Sequence, residues 1–155
     1  MTDPTMNAIG RALAARDRRE LLNLWSEIGV LGDPLHRCAL AHYLADLHDD
    51  PAQALAWDIR ALDAASAMTD ERVQEHHAGL RVAGFSPSLH LNLADDYRRL
   101  GSFEAAASHI EAAAERVSAL PEDAYGEMIR AAVGEVAAAI VRRDSTPRAS
   151  APGPR

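Results

Sequence analysis

Cys38, His42 and Asp46 follow one another at spacings of four residues, so on a helix all three project from one stripe. Thiolate, imidazole and carboxylate are the donor types that zinc takes, and a thiol one turn from an imidazole is also the arrangement in which a base activates a nucleophile. As a metal site the trio lacks a fourth ligand, which water or Asp95 would supply. The simpler reading, which we prefer, makes Cys38 a small buried hydrophobe with two polar neighbours. The histidines form no better constellation. His36, His42 and His48 are six residues apart, which turns each about 240° from the last on a helix, and the adjacent His76 and His77 point to different sides. HExxH, CxxC, GxSxG and glycine-rich phosphate loops are absent, and Asp49-Asp50 and Asp95-Asp96 read as helix caps or exposed turns rather than catalytic carboxylate pairs. No lysine occurs, which excludes a P-loop lysine and a Schiff base. The expectation is a protein that is not an enzyme and uses no cofactor or metal.

The elements that position these residues are helices. Of 155 residues, 48% are hydrophobic but only 5% aromatic; alanine supplies the difference, which suits close helix packing in a single all-α domain. Acidic residues outnumber basic ones 23 to 16, a net charge of −7, so nucleic acid and anionic membranes are not expected partners. Arginine carries every fixed positive charge, as in GC-rich, bacterial-type coding. The single cysteine, Cys38, excludes an intrachain disulfide and fits a reducing compartment. The start MTDPTMN has no signal-peptide character, and no apolar run reaches membrane-spanning length, so a soluble cytoplasmic protein is expected.

Taken in order, Thr5–Ala15 and Asp17–Ile28 read as two helices, the second opened by Asp17 with Glu20 three residues later and buried along Leu21, Leu24, Trp25 and Ile28. Gly29 to Gly32 interrupts. Asp33-Pro34 and Asp50-Pro51 each place a carboxylate cap before a proline at the first helical position; the helices they open carry Leu40, Leu44 and Leu47, then Leu55, Ile59 and Leu62. Trp25 and Trp57 fit a core or inter-helix role. Thr69 or Asp70 caps a further helix through Arg72, Val73, His76, His77 and Leu80, ended by Gly84. Ser86-Pro87 opens the next, with Leu89, Leu93, Tyr97 and Leu100 on one stripe and Gly101 as its stop. Ser102 then opens a helix with Phe103, Ala107, Ile110, Ala114 and Val117. A last helix, from Pro121 to about Val141, carries Met128, Ile129, Ala132, Val133, Val136 and Ile140. Residues 144–155, rich in Pro, Ser and Gly, read as a disordered tail after a domain at 1–143.

Within Ser86–Leu120, the residues His90, Leu93, Ala94, Tyr97, Gly101, Phe103, Ala106, Ile110 and Ala113 fall where tetratricopeptide repeats carry their signature; over this unit the chain resembles that family. A second copy lies upstream: Leu40, Ala41, Leu44 and Leu47 stand 53 residues before Leu93, Ala94, Tyr97 and Leu100, and Ala54 and Ala61 stand 52 before Ala106 and Ala113. The repeat is about 34 residues, so residues 64–85 read as an insertion. The resemblance implies an α-solenoid of antiparallel helix-turn-helix repeats with capping helices at both ends. Its concave groove would hold a peptide or helix segment of another protein, lined by Leu35, Cys38, His42, Ala45 and Asp46 from the first copy and Ser88, Leu91, Asn92, Asp95, Arg98 and Arg99 from the second. Carboxylate-clamping members use Lys and Asn where this chain has Cys38 and His42, which speaks against a chaperone-type clamp. The function expected is therefore a protein-interaction scaffold or adaptor. The alternatives are a metal-dependent or thiol enzyme built on Cys38, His42 and Asp46, and a regulatory homodimer paired through the repeat face.

Overall fold

The computed structural model describes residues 3–72 and 82–148. Seven α-helices are defined among them: α1 (Pro4–Ala14), α2 (Arg18–Ile28), α3 (Pro34–Asp46), α4 (Pro51–Ala65), α5 (Val82–Arg99), α6 (Phe103–Glu115) and α7 (Ala124–Val141), with a 3-10 turn at Val117–Ala119. No strand occurs among the described residues, and none of their helices is long and apolar enough to cross a membrane.

Aspartate sets most of the starts. Asp3, Asp17, Asp33, Asp50 and Asp123 accept from the amides of Met6, Glu20, Leu35, Ala52 and Gly126, at 2.9–3.0 Å. Each carboxylate satisfies an amide that the helix leaves without a partner and faces the positive end of the dipole. At α1, α3 and α4 a proline follows the cap; at α1 that pair is Asp3-Pro4, one residue earlier than expected. Gly101 ends α5 with φ of 78°, in the left-handed region that glycine occupies without a Cβ clash.

Several local expectations need correction. The helix placed from Ser86 begins at Val82 and runs through Pro87, whose ring is fully buried; burial of the ring offsets the one ladder bond that proline removes. Gly84 therefore lies inside a helix and ends none. The last helix starts at Ala124 behind an Asp123 cap, after Pro121 and the 3-10 turn. Ile59, expected inside, is 47% exposed, because α4 buries Ala54, Trp57, Asp58, Ala61, Ala64 and Ala65 instead. Met128 and Leu100 are likewise exposed. In the segment read as an insertion, Thr69 Oγ1 accepts from Arg72 N at 3.2 Å, the expected cap. Arg72 then donates to Asp3 at 2.9 Å and Asp33 at 2.7 Å, tying this point to the starts of α1 and α3. The remainder of that expected helix, Val73 to Leu80 with His76 and His77, lies outside the described residues.

The helices pack most extensively as two hairpins, α3 with α4 and α5 with α6; α4 packs on α5, and α7 on both α5 and α6. Trp25 and Trp57 meet edge to face, with centroids 5.1 Å apart, between α2 and α4. One apolar core joins α1 to α4 around Ile9, Leu21, Leu40, Leu44 and Ala61, with Leu89 reaching in from α5. A second joins α5 to α7 around Ala94, Ala106, Ile110, Val133 and Val136. Helix α5 stands between them, covered by α4, α6 and α7, and is buried on nearly every side. On this central helix and the facing side of α4 lie the buried polar residues Asp58, Asp95, Asp96 and Arg98, between 1% and 8% exposed.

Candidate functional site

Where α3, α5 and α7 converge they leave a cleft of about 350 Å³. Helix α3 contributes His42 and Asp46, α5 contributes Ser88, Leu91 and Asn92, and α7 contributes an apolar wall of Tyr125, Met128, Ile129 and Ala132 with Glu135 at its end. Asn92 Nδ2 lies 3.1 Å from His42 Nδ1. The amide donates and Nδ1 accepts, and His42 Nε2 lies 3.9 Å from Asp46 Oδ2. Burial raises the pKa of Asp46, and the neighbouring His42 opposes the rise.

Beneath the cleft, and sharing Asp46, Asn92 and Arg148 with it, is a polar chamber of about 30 Å³, lined also by His48, Asp58, Asp95, Asp96 and Arg99. Helix α4 carries Asp58 into it on a face otherwise made of alanine and tryptophan, which is why the group is 3% exposed. Burial, then the hydrogen bond to Asp96 and the charges of Asp96, Asp46 and Asp95, hold Asp58 well above the usual carboxylate range. Asp96 is pushed up to about 7, by burial first and by Asp95 and Asp46, against the pull of Asp58 and Arg99. The pair therefore keeps a proton near neutral pH, on Asp58 and shared with Asp96, because two adjacent buried carboxylates do not both ionise. Apart from each other, Asp58 Oδ1 and Asp96 Oδ2 have no hydrogen-bond partner. His48 Nε2 is also without a partner, and burial and the Arg18 charge lower its pKa, which favours the neutral ring.

Arg98 closes the base. Its Nε and Nη2 both donate to Asp95 Oδ1, at 3.1 and 2.7 Å, and its Nη1 donates to the carbonyls of Asp144 and Thr146, at 2.6 and 2.8 Å. One guanidinium thus straps the segment after α7 onto α5. That segment brings Arg148 back over the cleft, with Nε 3.8 Å from Asp95 Oδ1 and Nη1 3.4 Å from Glu135 Oε2.

The structure brings His42, Asp46, Leu91 and Asn92 together at the cleft, and Asp95 and Arg99 at the chamber. It does not bring Cys38 or Arg98 to a surface. Cys38 is 4% exposed, and burial together with Asp58 pushes its thiol up to about 12, so no thiolate is available as nucleophile or ligand. Among the described residues no group of three or more His, Cys, Asp or Glu side chains is placed to hold a metal ion. Arg98, expected along the groove, is 1% exposed, held between Asp95 and the segment after α7, and Arg99 donates to the carbonyl of Asp49 at 2.9 Å. Asp95-Asp96, expected as a cap or exposed turn, lies buried within α5. Residues 144–148, expected within a disordered tail, are tied to α5 and α7 by the carbonyls of Asp144 and Thr146 and the side chain of Arg148; residues 149–155 lie outside the described residues.

Sequence reasoning missed Tyr125, Glu135, Arg148 and Asp58, read Asp96 as part of a cap or exposed turn, and placed Met128 inside. Asp58 had a signal, a lone carboxylate within an apolar helix face. Arg148 had none, since it stands in a stretch of low complexity. No protein-family model matches the chain, and no curated protein or solved structure was found to be similar to it.

Proposed function

We propose that the protein is a protein-interaction module, a small cytoplasmic scaffold or adaptor of tetratricopeptide-like build, which holds a segment of another protein in the cleft between α3, α5 and α7. One observation carries this reading: the first helices of both hairpins and the helix that follows them contribute to one cleft with an apolar wall and a polar floor. Stacked hairpins produce such a surface on one side, and it offers pockets for side chains together with polar anchors for a backbone. The packing of α4 on α5 and of α7 on the second hairpin fits the same arrangement. The protonated, buried Cys38 speaks against a thiol or metal enzyme.

The test is selection of a random dodecapeptide library on the whole chain and on Met128→Glu. Met128 is 58% exposed, so the substitution changes the cleft wall and leaves the core intact. The expected outcome is a set of peptides whose affinity falls about tenfold or more in the variant, the scale of losing one well-packed contact. Absence of enrichment, or enrichment indifferent to Met128→Glu, overturns the reading. A dimeric solution mass dissociated by Met128→Glu assigns the cleft to a second copy of the chain instead.

A further inference from the structure

We infer that the segment this cleft takes is basic and enters by an arginine, at the seat now filled by the chain's own Arg148. The inference rests on the reading of the cleft as a binding groove and adds the chemistry of the occupant.

Three observations carry it. First, an arginine is already there: Arg148 is 11% exposed and lies between carboxylates from two helices, Asp95 on α5 and Glu135 on α7. Its fit is loose. A guanidinium–carboxylate hydrogen bond is ordinarily about 2.7–2.9 Å, whereas the Arg148 contacts are 3.8 and 3.4 Å and its buried Nε has no hydrogen bond. The seat is complementary to a guanidinium yet not optimally filled by this one.

Second, carboxyl groups outnumber guanidinium groups around it. Asp46, Asp58, Asp95, Asp96 and Glu135 line the cleft and chamber, and of the other arginines beside them Arg98 is bound to Asp95 and the carbonyls of Asp144 and Thr146, while Arg99 is turned to the carbonyl of Asp49. With Arg148 withdrawn, Glu135 would have no basic partner and the chamber would hold more carboxyl groups than guanidinium groups. An incoming guanidinium is attracted by the remaining carboxylates, an attraction that the low local dielectric strengthens and the desolvation of the cation opposes.

Third, the segment that delivers Arg148 already behaves as a bound peptide. It is non-helical, and Arg98 takes two of its carbonyls, two residues apart, by side-chain hydrogen bonds. Held directly after α7, it competes with any incoming segment at the millimolar effective concentration of a short tether. An external arginine segment therefore binds by displacing it.

The probe is a fluorescein-labelled dodecapeptide with the sequence of residues 144–155, DSTPRASAPGPR, beside the same peptide with its first arginine replaced by citrulline, which keeps the shape and removes the charge. Each is titrated by anisotropy into the full-length chain, into Arg148→Ser and into Arg148→Ser/Glu135→Gln. The expected result is that Arg148→Ser binds the arginine peptide about tenfold or more tightly than the unmodified chain does. Citrulline, and separately Glu135→Gln, should each reduce that binding by about tenfold, the worth of one charge-assisted hydrogen bond. Glu135 is half exposed, so the second variant tests the seat without touching the core, and far-ultraviolet circular dichroism verifies that both variants keep their helices. Equal binding of the arginine and citrulline peptides, or equal binding by the unmodified chain and Arg148→Ser, overturns the inference. Library selection on Arg148→Ser separates the two readings. Arginine-free peptides that depend on Met128 keep the groove and overturn the arginine seat; a selection with no Met128-dependent peptide overturns both.

Discussion

Asparagine in place of Asp96 tests the shared proton between α4 and α5. The Asp96 carboxyl is pushed up to about 7 from 3.8 in the folded chain, and one pKa unit corresponds to about 1.4 kcal/mol between the two protonation states. A folded pKa above the unfolded one means that the native state binds the proton more tightly. The associated stability is fully present below pH ~4, and it falls as pH rises toward 7. The span from 3.8 to about 7 sets an upper bound near 4 kcal/mol; because Asp58 belongs to the same proton equilibrium, roughly 2–4 kcal/mol is the working range for the pair. Other groups titrate in the same interval with opposite sign. His48, His90 and His109 have lowered pKa values, chiefly through burial, and gain native stability as pH rises through their folded values toward 6.5. The informative quantity is therefore the difference between the variant and the unmodified chain. Urea unfolding at pH 5, 6, 7 and 8 provides it, since the extrapolated free energies carry the same histidine contributions in both proteins. Asp96→Asn should be relatively more stable at pH 8 than at pH 5 by about 2 kcal/mol or more. The charges facing the pair, Asp46, Asp95 and Arg99, are unchanged by the substitution. A difference that stays constant across the range would refute the shared buried proton.

Three further outcomes follow from individual side chains. Arg98→Met leaves the Asp95 carboxylate buried without its partner and should destabilise the chain by about 3–5 kcal/mol, with faster amide exchange across residues 144–148 as the local signature; a melting temperature within a degree of the original would refute the strap. Cys38 should resist alkylation by iodoacetamide at pH 8 in the native chain and react fully after unfolding, since a thiol pushed up to about 12 holds almost no thiolate; rapid native labelling would refute its burial. Ala106→Leu inserts methylenes at a fully buried contact between α5 and α6 and should cost about 1–3 kcal/mol in chemical denaturation; unchanged stability would refute the close approach of that hairpin.

The sequence was most legible where structure is local. Asp17, Asp33, Asp50 and Gly101 act at the helix ends they were expected to mark, because a cap depends on the few residues around it and on little else. It was less legible wherever a residue's role depends on how many partners its helix has. A stripe of Leu89, Leu93, Tyr97 and Leu100 implies one buried face and a free one. Helix α5 instead has α4, α6 and α7 around it, so Leu91, Asp95 and Arg98, assigned to the open side, are inside. Pro87 misled for the same reason, since a local start signal yields to a buried environment. The cleft was half legible: His42, Asp46 and Asn92 were found from the repeat register, while Glu135 and Arg148 depend on where α7 and the segment after it return, which no local pattern encodes.

The position of the polar chamber bears on what it is for. Replacing buried ion pairs by well-packed apolar side chains is often neutral or stabilising, so carboxylates and a guanidinium between two apolar cores are not needed to hold α4 against α5. Alanines at 54, 61 and 65 already bring α4 close along its buried face, and leucine at position 58 would extend it. What the chamber does, and an apolar seam could not, is bind chain that lies outside the cores: Arg98 takes the carbonyls of Asp144 and Thr146, and Asp95, with Glu135 above it, holds Arg148. The seam between the hairpins and the floor of the cleft are then one structure, and its polar groups are the ones that hold the segment after α7 on α5.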